Sequence, residues 1–395
     1  MQKLDRNKLD PIKQWMRSNT NQGRVAGSSI LIAQSGQIAM LHADGKRSLA
    51  RNLPLKIDTL TRIYSMTKPV TAIAVMQLVN QGVLALEQPV SDVLAEFSSC
   101  EALVKDATSV DQTEPAPPPT LLQLLLHSSG LTYGFNEGLL PDHYRDNGIS
   151  FEPESGGLRS MAKRVATQPF AFQPGTRWEY SIGMDVLGAV IECVTGQPLD
   201  QVFQERIFDP LNMKHTYFTV PDSRLAELAD CYAFSEEDPL RLFDSGQDSI
   251  FGLRDNRMLA GGGGLVSTLR DYFRFAEMLR LDGSLDGTEI LPTRLVQSMK
   301  QNQLNCEIAD MGPTSFAEMP MAGVGFGLGG AVVLEPKRSG MAGNVGDFGW
   351  GGMAGTYFWI DPVTQVTCIF FTQLIPSSAH PLRSELKALV HNALN

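Results

Sequence analysis

At 395 residues, 43% hydrophobic and 19% charged, the chain is long enough for one large domain or two lobes, which excludes a peptide hormone, a small adaptor or a globally disordered protein. Asp and Glu number 43 against 33 Lys and Arg, a formal net charge of -10, so no overall field draws phosphate backbones or anionic lipid. Nucleic acid is not an expected partner.

From the N-terminus, the first ten residues mix charges with isolated leucines and lack the apolar run of a secretory leader. Ser28 to Ala33 and Ile38 to His42, separated by the turn Gln34 to Gln37, read as a β-hairpin. The pattern then turns helical over Val70 to Gln81, Thr120 to Leu126, Met184 to Thr195 and Thr268 to Leu281, with Gly130, Gly196 and Gly283 as stops. Pro115-Ala-Pro-Pro-Pro119 reads as a stiff, extended loop, with Thr120 placed to cap the helix after it. Gly261 to Gly264 lacks the Lys-Ser/Thr of a phosphate cradle and leads into a capped helix. Strand signals return at Thr356 to Ile360 and Gln365 to Thr372. No stretch approaches about 18 uninterrupted apolar residues, so no membrane span is expected. Strands at both ends and helices between them predict a mixed α/β (α+β) chain. Residues 1–75 and 250–395 would form a discontinuous α/β domain, residues 76–249 a mainly helical one, and the cleft between them the active site.

Ser65-Met-Thr-Lys68 places a hydroxyl and an amine about one turn apart on one helix face, which suits a nucleophile beside its base. Composition predicts about one such spacing by chance; the chain holds three. Ser160-Met-Ala-Lys163 and Ser384-Glu-Leu-Lys387 lie in charged amphipathic stretches, where a solvated helix face accounts for them. Ser65 differs, because Pro69 and an apolar helix follow it, so it opens a helix. There free amides and the helix dipole favour negative charge developing on an attacked carbonyl, and burial would lower the pKa of Lys68. A serine in that place also serves as a plain cap, and the local pattern leaves both readings open. Tyr180, on a turn before the Met184 helix, projects into a cleft or is a half-buried aromatic. The small residues of Gly349-Trp-Gly-Gly-Met-Ala-Gly355 would let a substrate approach backbone amides.

Ser65-Met-Thr-Lys68, Leu125-Leu-His-Ser-Ser-Gly-Leu131, Pro174-Gly175 followed by Tyr180-Ser181, Gly262-Gly-Gly-Leu-Val-Ser-Thr268 and Trp350-Gly-Gly352 stand in the order found in β-lactamase-like serine hydrolases. Over most of its length the chain resembles the family VIII carboxylesterases, which share the fold of class C β-lactamases and DD-peptidases. That resemblance implies an antiparallel sheet flanked by helices beside an all-helical domain. It implies Ser65 as the acylated nucleophile, Lys68 as its activating partner and Tyr180 as the group passing a proton to and from the leaving oxygen. The backbone amides of Ser65 and Met353 would form the oxyanion hole, and Trp350, Gly351, Gly352, Ser181 and Ile182 would bind substrate. Two positions depart from the β-lactamase pattern: Trp350 replaces the lysine of Lys-Thr-Gly, and Ile182 replaces the asparagine of Tyr-x-Asn. An anionic substrate would thereby lose a charge-assisted contact worth roughly 1.5 to 3 kcal/mol, which favours neutral esters.

The expectation is a carboxylesterase for small-molecule, short-chain esters, working through a Ser65 acyl-enzyme without cofactor or metal. A β-lactamase, a DD-peptidase and an acyltransferase share that chemistry; a non-catalytic binder would have to keep Ser65, Lys68 and Tyr180 unused. No G-x-S-x-G elbow occurs, and the six histidines show no metal-binding spacing. His127, at the end of the leucine-rich helix, is expected to meet terminal carbonyls. Five scattered cysteines without a C-x-x-C pair, together with the polar N-terminus, fit a cytoplasmic protein.

Overall fold

The computed structural model describes residues 2–150, 157–252 and 258–394. The N-terminal hairpin consists of β1 (Gly27–Gln34) and β2 (Gln37–Ser48), followed by the short β3 (Leu53–Pro54). Its turn residues Ser35 and Gly36 both have positive φ, 50° and 79°, as a tight two-residue hairpin turn requires. Five strands come from the C-terminal part: β4 (Val324–Phe326), β5 (Ala331–Val333), β6 (Phe348–Gly351), β7 (Tyr357–Asp361) and β8 (Val366–Thr372). β8 pairs antiparallel with β1, Ser28 opposite Thr372 and Gln34 opposite Val366. The two ends of the chain therefore close one antiparallel sheet of eight strands, ordered β4-β5-β6-β7-β8-β1-β2-β3.

Both faces of its central strands are covered, which is why they read as unbroken apolar runs rather than alternating ones. Ile30, Ile32, Tyr357, Trp359 and Phe370 face α1 (Asp10–Asn21) and the C-terminal helix, while Leu31, Ala33, Phe358, Ile369 and Phe371 belong to the main core on the other side. α2 (Lys68–Asn80) is buried on nearly every side, so it carries apolar residues all round and no amphipathic stripe. α3 (Leu121–Leu125) begins with a capping box between Thr120 and Gln123, and α4 (Gly183–Thr195) ends at Gly196 with φ 68°. α5 (Leu269–Arg280) lies against β1, β7 and β8, and α6 (Leu382–Asn392) closes the chain. Among the described residues no helix is long and apolar enough to cross a membrane.

In its strands and its last helix the structure departs from the sequence reading in three places. Gly349 and Gly351 lie within β6, because pairing with β7 on one edge, and through Gly349 with β5 on the other, outweighs their weak strand propensity. Pro115 and Ala116 pair with Glu101 and Cys100 in a two-stranded hairpin instead of a loop. Lys387 is not on a solvated face: it is buried and ion-paired to Asp347 at 2.8 Å, because that side of α6 packs on the sheet.

Candidate active site

Ser65 sits in a 3-10 turn, Tyr64–Thr67, that runs directly into α2 with Pro69 in its first turn. No side chain caps the turn or the helix, so the Ser65 hydroxyl is not spent on capping. Tyr64, just before it, is held at φ 44°, a conformation that costs a non-glycine residue of order 1 kcal/mol. The surroundings enforce it: the Ile63 amide donates to Leu265 O, the Leu265 amide to Thr67 Oγ1, and the Tyr272 hydroxyl to Met66 O.

Lys68 is fully buried, with Nζ 3.3 Å from Ser65 Oγ, 3.2 Å from Tyr133 Oη and 2.8 Å from the carbonyl of Gly262. Burial drives its pKa down to about 7, and the charge of Asp185 pulls the other way. Tyr133 donates to Asp185 Oδ2 at 3.0 Å, and the Gly262 amide donates to Asp185 Oδ1 at 2.9 Å. Asp185, in the first turn of α4, is itself buried, which raises its pKa, while Lys68 lowers it. One carboxylate thus ties α4 to the glycine turn that holds the lysine. Tyr133 and Asp185 were not singled out from sequence. The only available signal was their proximity to motifs, Tyr133 two residues after the Leu125–Leu131 segment and Asp185 five after Tyr180.

Tyr180 lies above the same lysine, with Nζ 4.4 Å from the centre of its ring. Its hydroxyl faces the Ser65 side chain and accepts from Trp350 Nε1 at 3.2 Å. Burial holds the phenol above its ordinary pKa, and Ser65 and Trp350 moderate the rise. Asn136 fixes the backbone by donating to Tyr180 O at 2.8 Å. His127 differs from expectation. Its Nδ1 accepts from the Ser181 amide at 3.2 Å instead of the ring meeting helix-end carbonyls, and burial, then Lys68, drive its pKa far down, so the ring stays neutral.

Ser65, Tyr133, Tyr180, Phe316, Gly352 and Met353 line a cavity of about 670 Å³. Its volume is that of a site for a drug-sized ligand. A groove of about 590 Å³ continues from it past Tyr180 and Phe316. The backbone amides of Ser65 and Met353 donate to no acceptor among the described residues. Trp350, Ser181 and Ile182 do not line this cavity: all three are buried, Trp350 behind Tyr180, Ser181 against His127, and Ile182 in the core at the start of α4. The reason is strand and helix geometry. Trp350 is still in β6, where its indole joins the aromatic layer of Phe316, Phe326 and Tyr180, and the backbone reaches the cavity only at Gly351.

Comparison with known proteins identifies the family and the fold. The Beta-lactamase family model matches residues 12–392. Protein Rv1367c of Mycobacterium tuberculosis is 33% identical over 374 residues, covering 93% of this chain and 90% of its own. Esterase EstB of Burkholderia gladioli is 30% identical over 364 residues, covering 88% of this chain and 86% of its own. Among solved structures, EstCE1, described as a hydrolase with promiscuous acyltransferase activity, superposes with a TM-score of 0.81 at 26% identity, over 98% of this chain and 99% of that one.

Proposed function

The chain belongs to the β-lactamase family, and we propose that it is a carboxylesterase that cleaves neutral, short-chain carboxylic esters through a Ser65 acyl-enzyme, with Lys68 and Tyr180 moving the protons. The observation that carries this reading is that Ser65 and Tyr180 share the wall of one aromatic-lined cavity while Lys68 Nζ, buried behind it, reaches Ser65 Oγ at 3.3 Å. The hydrogen bonds argue for a division of labour. A neutral amine has two N–H donors and one lone pair. Gly262 O can only accept, and Tyr133 spends its proton on Asp185, so it too accepts from Lys68. Both donors of neutral Lys68 are thereby used, and its lone pair is left for the proton of Ser65. With a pKa of about 7 the amine is neutral in a large fraction of molecules at neutral pH.

Tyr180 accepts from Trp350, so its own proton is free to hydrogen-bond toward Ser65 or an incoming leaving oxygen. Its raised pKa keeps it a phenol, suited to handing a proton to the departing alkoxide. Attack by Ser65 Oγ forms a tetrahedral oxyanion facing the free amides of Ser65 and Met353, collapse expels the alcohol, and water repeats the sequence on the acyl-enzyme. In this reading Trp350 acts on substrate only through Tyr180. Trp350 takes the motif position at which β-lactamases carry a lysine, so no lysine from the third motif reaches the cavity to hold an anionic substrate.

A second reading, acyl transfer to an alcohol, is favoured by the size of the cavity and its adjoining groove, which leave room for an acceptor beside the acylated serine, and by the description of EstCE1. The deciding experiment follows wild type and Ser65→Ala on p-nitrophenyl butyrate and on a chromogenic cephalosporin, with and without a short alcohol. Ser65-dependent ester cleavage with little ring opening is expected. Efficient ring opening with poor ester turnover would make the protein a β-lactamase, and product ester outweighing free acid in the presence of alcohol would make it a transferase.

A further inference from the structure

Arg383, in the first turn of α6, lines the Ser65 cavity although it is only 5% exposed. A buried guanidinium is costly unless it is paired. Its Nη2 donates to the carbonyl of Gly352 at 2.7 Å and to that of Thr356 at 3.3 Å. Its other face pairs with Glu318 at 3.3 Å, whose side chain is 8% exposed. The guanidinium sits so close to the chain that a Cβ on Gly351 would lie 2.5 Å from its central carbon, so any larger residue there would have to displace it.

The Gly352 carbonyl belongs to the same peptide unit as the Met353 amide. In a trans peptide the C=O and the following N–H point in opposite directions across one rigid plane. Fixing one end therefore aims the other. Here the carbonyl end is held twice, by Arg383 and by the Gly355 amide at 3.1 Å, and the Gly352 amide is anchored to Thr356 O at 2.9 Å. The opposite end, Met353 N–H, has no acceptor among the described residues and belongs to a residue lining the cavity with Ser65. A cation on the carbonyl also polarises the amide, making its N–H a stronger donor.

We propose that Arg383 is the positioning residue of the oxyanion site: through the Gly352–Met353 peptide it aims and strengthens the Met353 N–H toward the tetrahedral oxygen formed at Ser65. This rests on the reading of Ser65 as nucleophile and Met353 N–H as oxyanion donor. Arg383 acts on the reacting atoms through this peptide, whose carbonyl it holds at 2.7 Å.

The test compares Arg383→Lys, Arg383→Met and the double variant Arg383→Met with Glu318→Met, which removes the unpaired buried carboxylate that could unfold the single variant. Each is assayed on p-nitrophenyl butyrate across pH and for inhibition by phenylboronic acid, whose tetrahedral serine adduct occupies the oxyanion site. Folded Met variants should lose about 10- to 100-fold in kcat, somewhat less than deletion of a whole oxyanion donor. KM should stay within about twofold, since the ground-state carbonyl is weakly held. Phenylboronate inhibition should weaken in parallel with kcat, and Arg383→Lys, which keeps one donor, should recover part of both. Because Arg383 also lowers the pKa of Tyr180, the pH profile separates the two routes: an oxyanion effect lowers the plateau without moving its midpoint. A folded Met variant with kcat near wild type, or with unchanged phenylboronate affinity, would overturn the proposal. So would a loss explained by a displaced pH profile. If Ser65→Ala retained turnover, the reading beneath it would fall instead, whatever Arg383 did.

Discussion

Two S-x-x-K segments of this chain end in a buried lysine, and their chemistry is opposite. Lys68 faces a hydroxyl, a phenol and a carbonyl, and its carboxylate, Asp185, is reached through Tyr133, so burial prevails and the amine falls to about 7. Lys387 is equally buried, which pulls it down, but Tyr357 and a directly bonded Asp347 pull harder and its pKa is raised. The motif specifies that serine and lysine are neighbours. Whether the lysine becomes a base or half of an ion pair is set by one direct contact with a carboxylate.

The largest effect should come from the serine itself: Ser65→Ala is expected to cut kcat by about 10⁴-fold or more, measured by ester hydrolysis with the fold checked by circular dichroism. Lys68→Ala and Tyr180→Phe should each cost about 10² to 10⁴ in kcat. Their double variant should lose much less than the product of the two, because they serve one proton path; additive losses would separate them. On the other side of the comparison, Lys387→Met should leave kcat within about threefold yet destabilise the protein by about 3 to 5 kcal/mol in urea unfolding, because Asp347 is left charged and unpaired. Equal losses of activity would mean the two lysines are not functionally distinct.

The pH dependence sharpens the contrast. Lys68 must be neutral to accept a proton, and its pKa of about 7 lies below its ordinary value, so kcat/KM should rise with pH through about 7 and then level off. Asp185→Asn removes the charge that raises Lys68, so the midpoint should move to lower pH; it also frees Tyr133, and about a tenfold loss of kcat is expected. A midpoint moving upward would contradict the assignment. The smallest effect belongs to Ser384→Ala and Ser160→Ala, which should be indistinguishable from wild type in ester turnover.

Much of this was legible in the sequence because it is local. The hairpin of β1 and β2 follows from its apolar runs and its Ser35-Gly36 turn, and α2, α3 and α4 follow from periodicity with Thr120 and Gly196 as punctuation. Ser65, Lys68 and Tyr180 stand in motifs, so they could be named. Trp350 shows where a motif stops informing. It stands in the motif series, yet its indole is buried against Tyr180, because side-chain direction depends on strand pleat and register. Tyr133, Asp185 and Arg383 carry no motif of their own and became visible only through the groups they touch.

The sequence by itself determined the segments and the candidate reactive groups, since helix propensity, turn chemistry and motif spacing act over a few residues. Only the tertiary structure decided which strands close the sheet, that Lys68 is desolvated without a direct carboxylate while Lys387 is paired, and that Arg383 holds the Gly352 carbonyl from 31 residues away. Those outcomes depend on burial and on contacts between distant parts of the chain, and no local pattern encodes either.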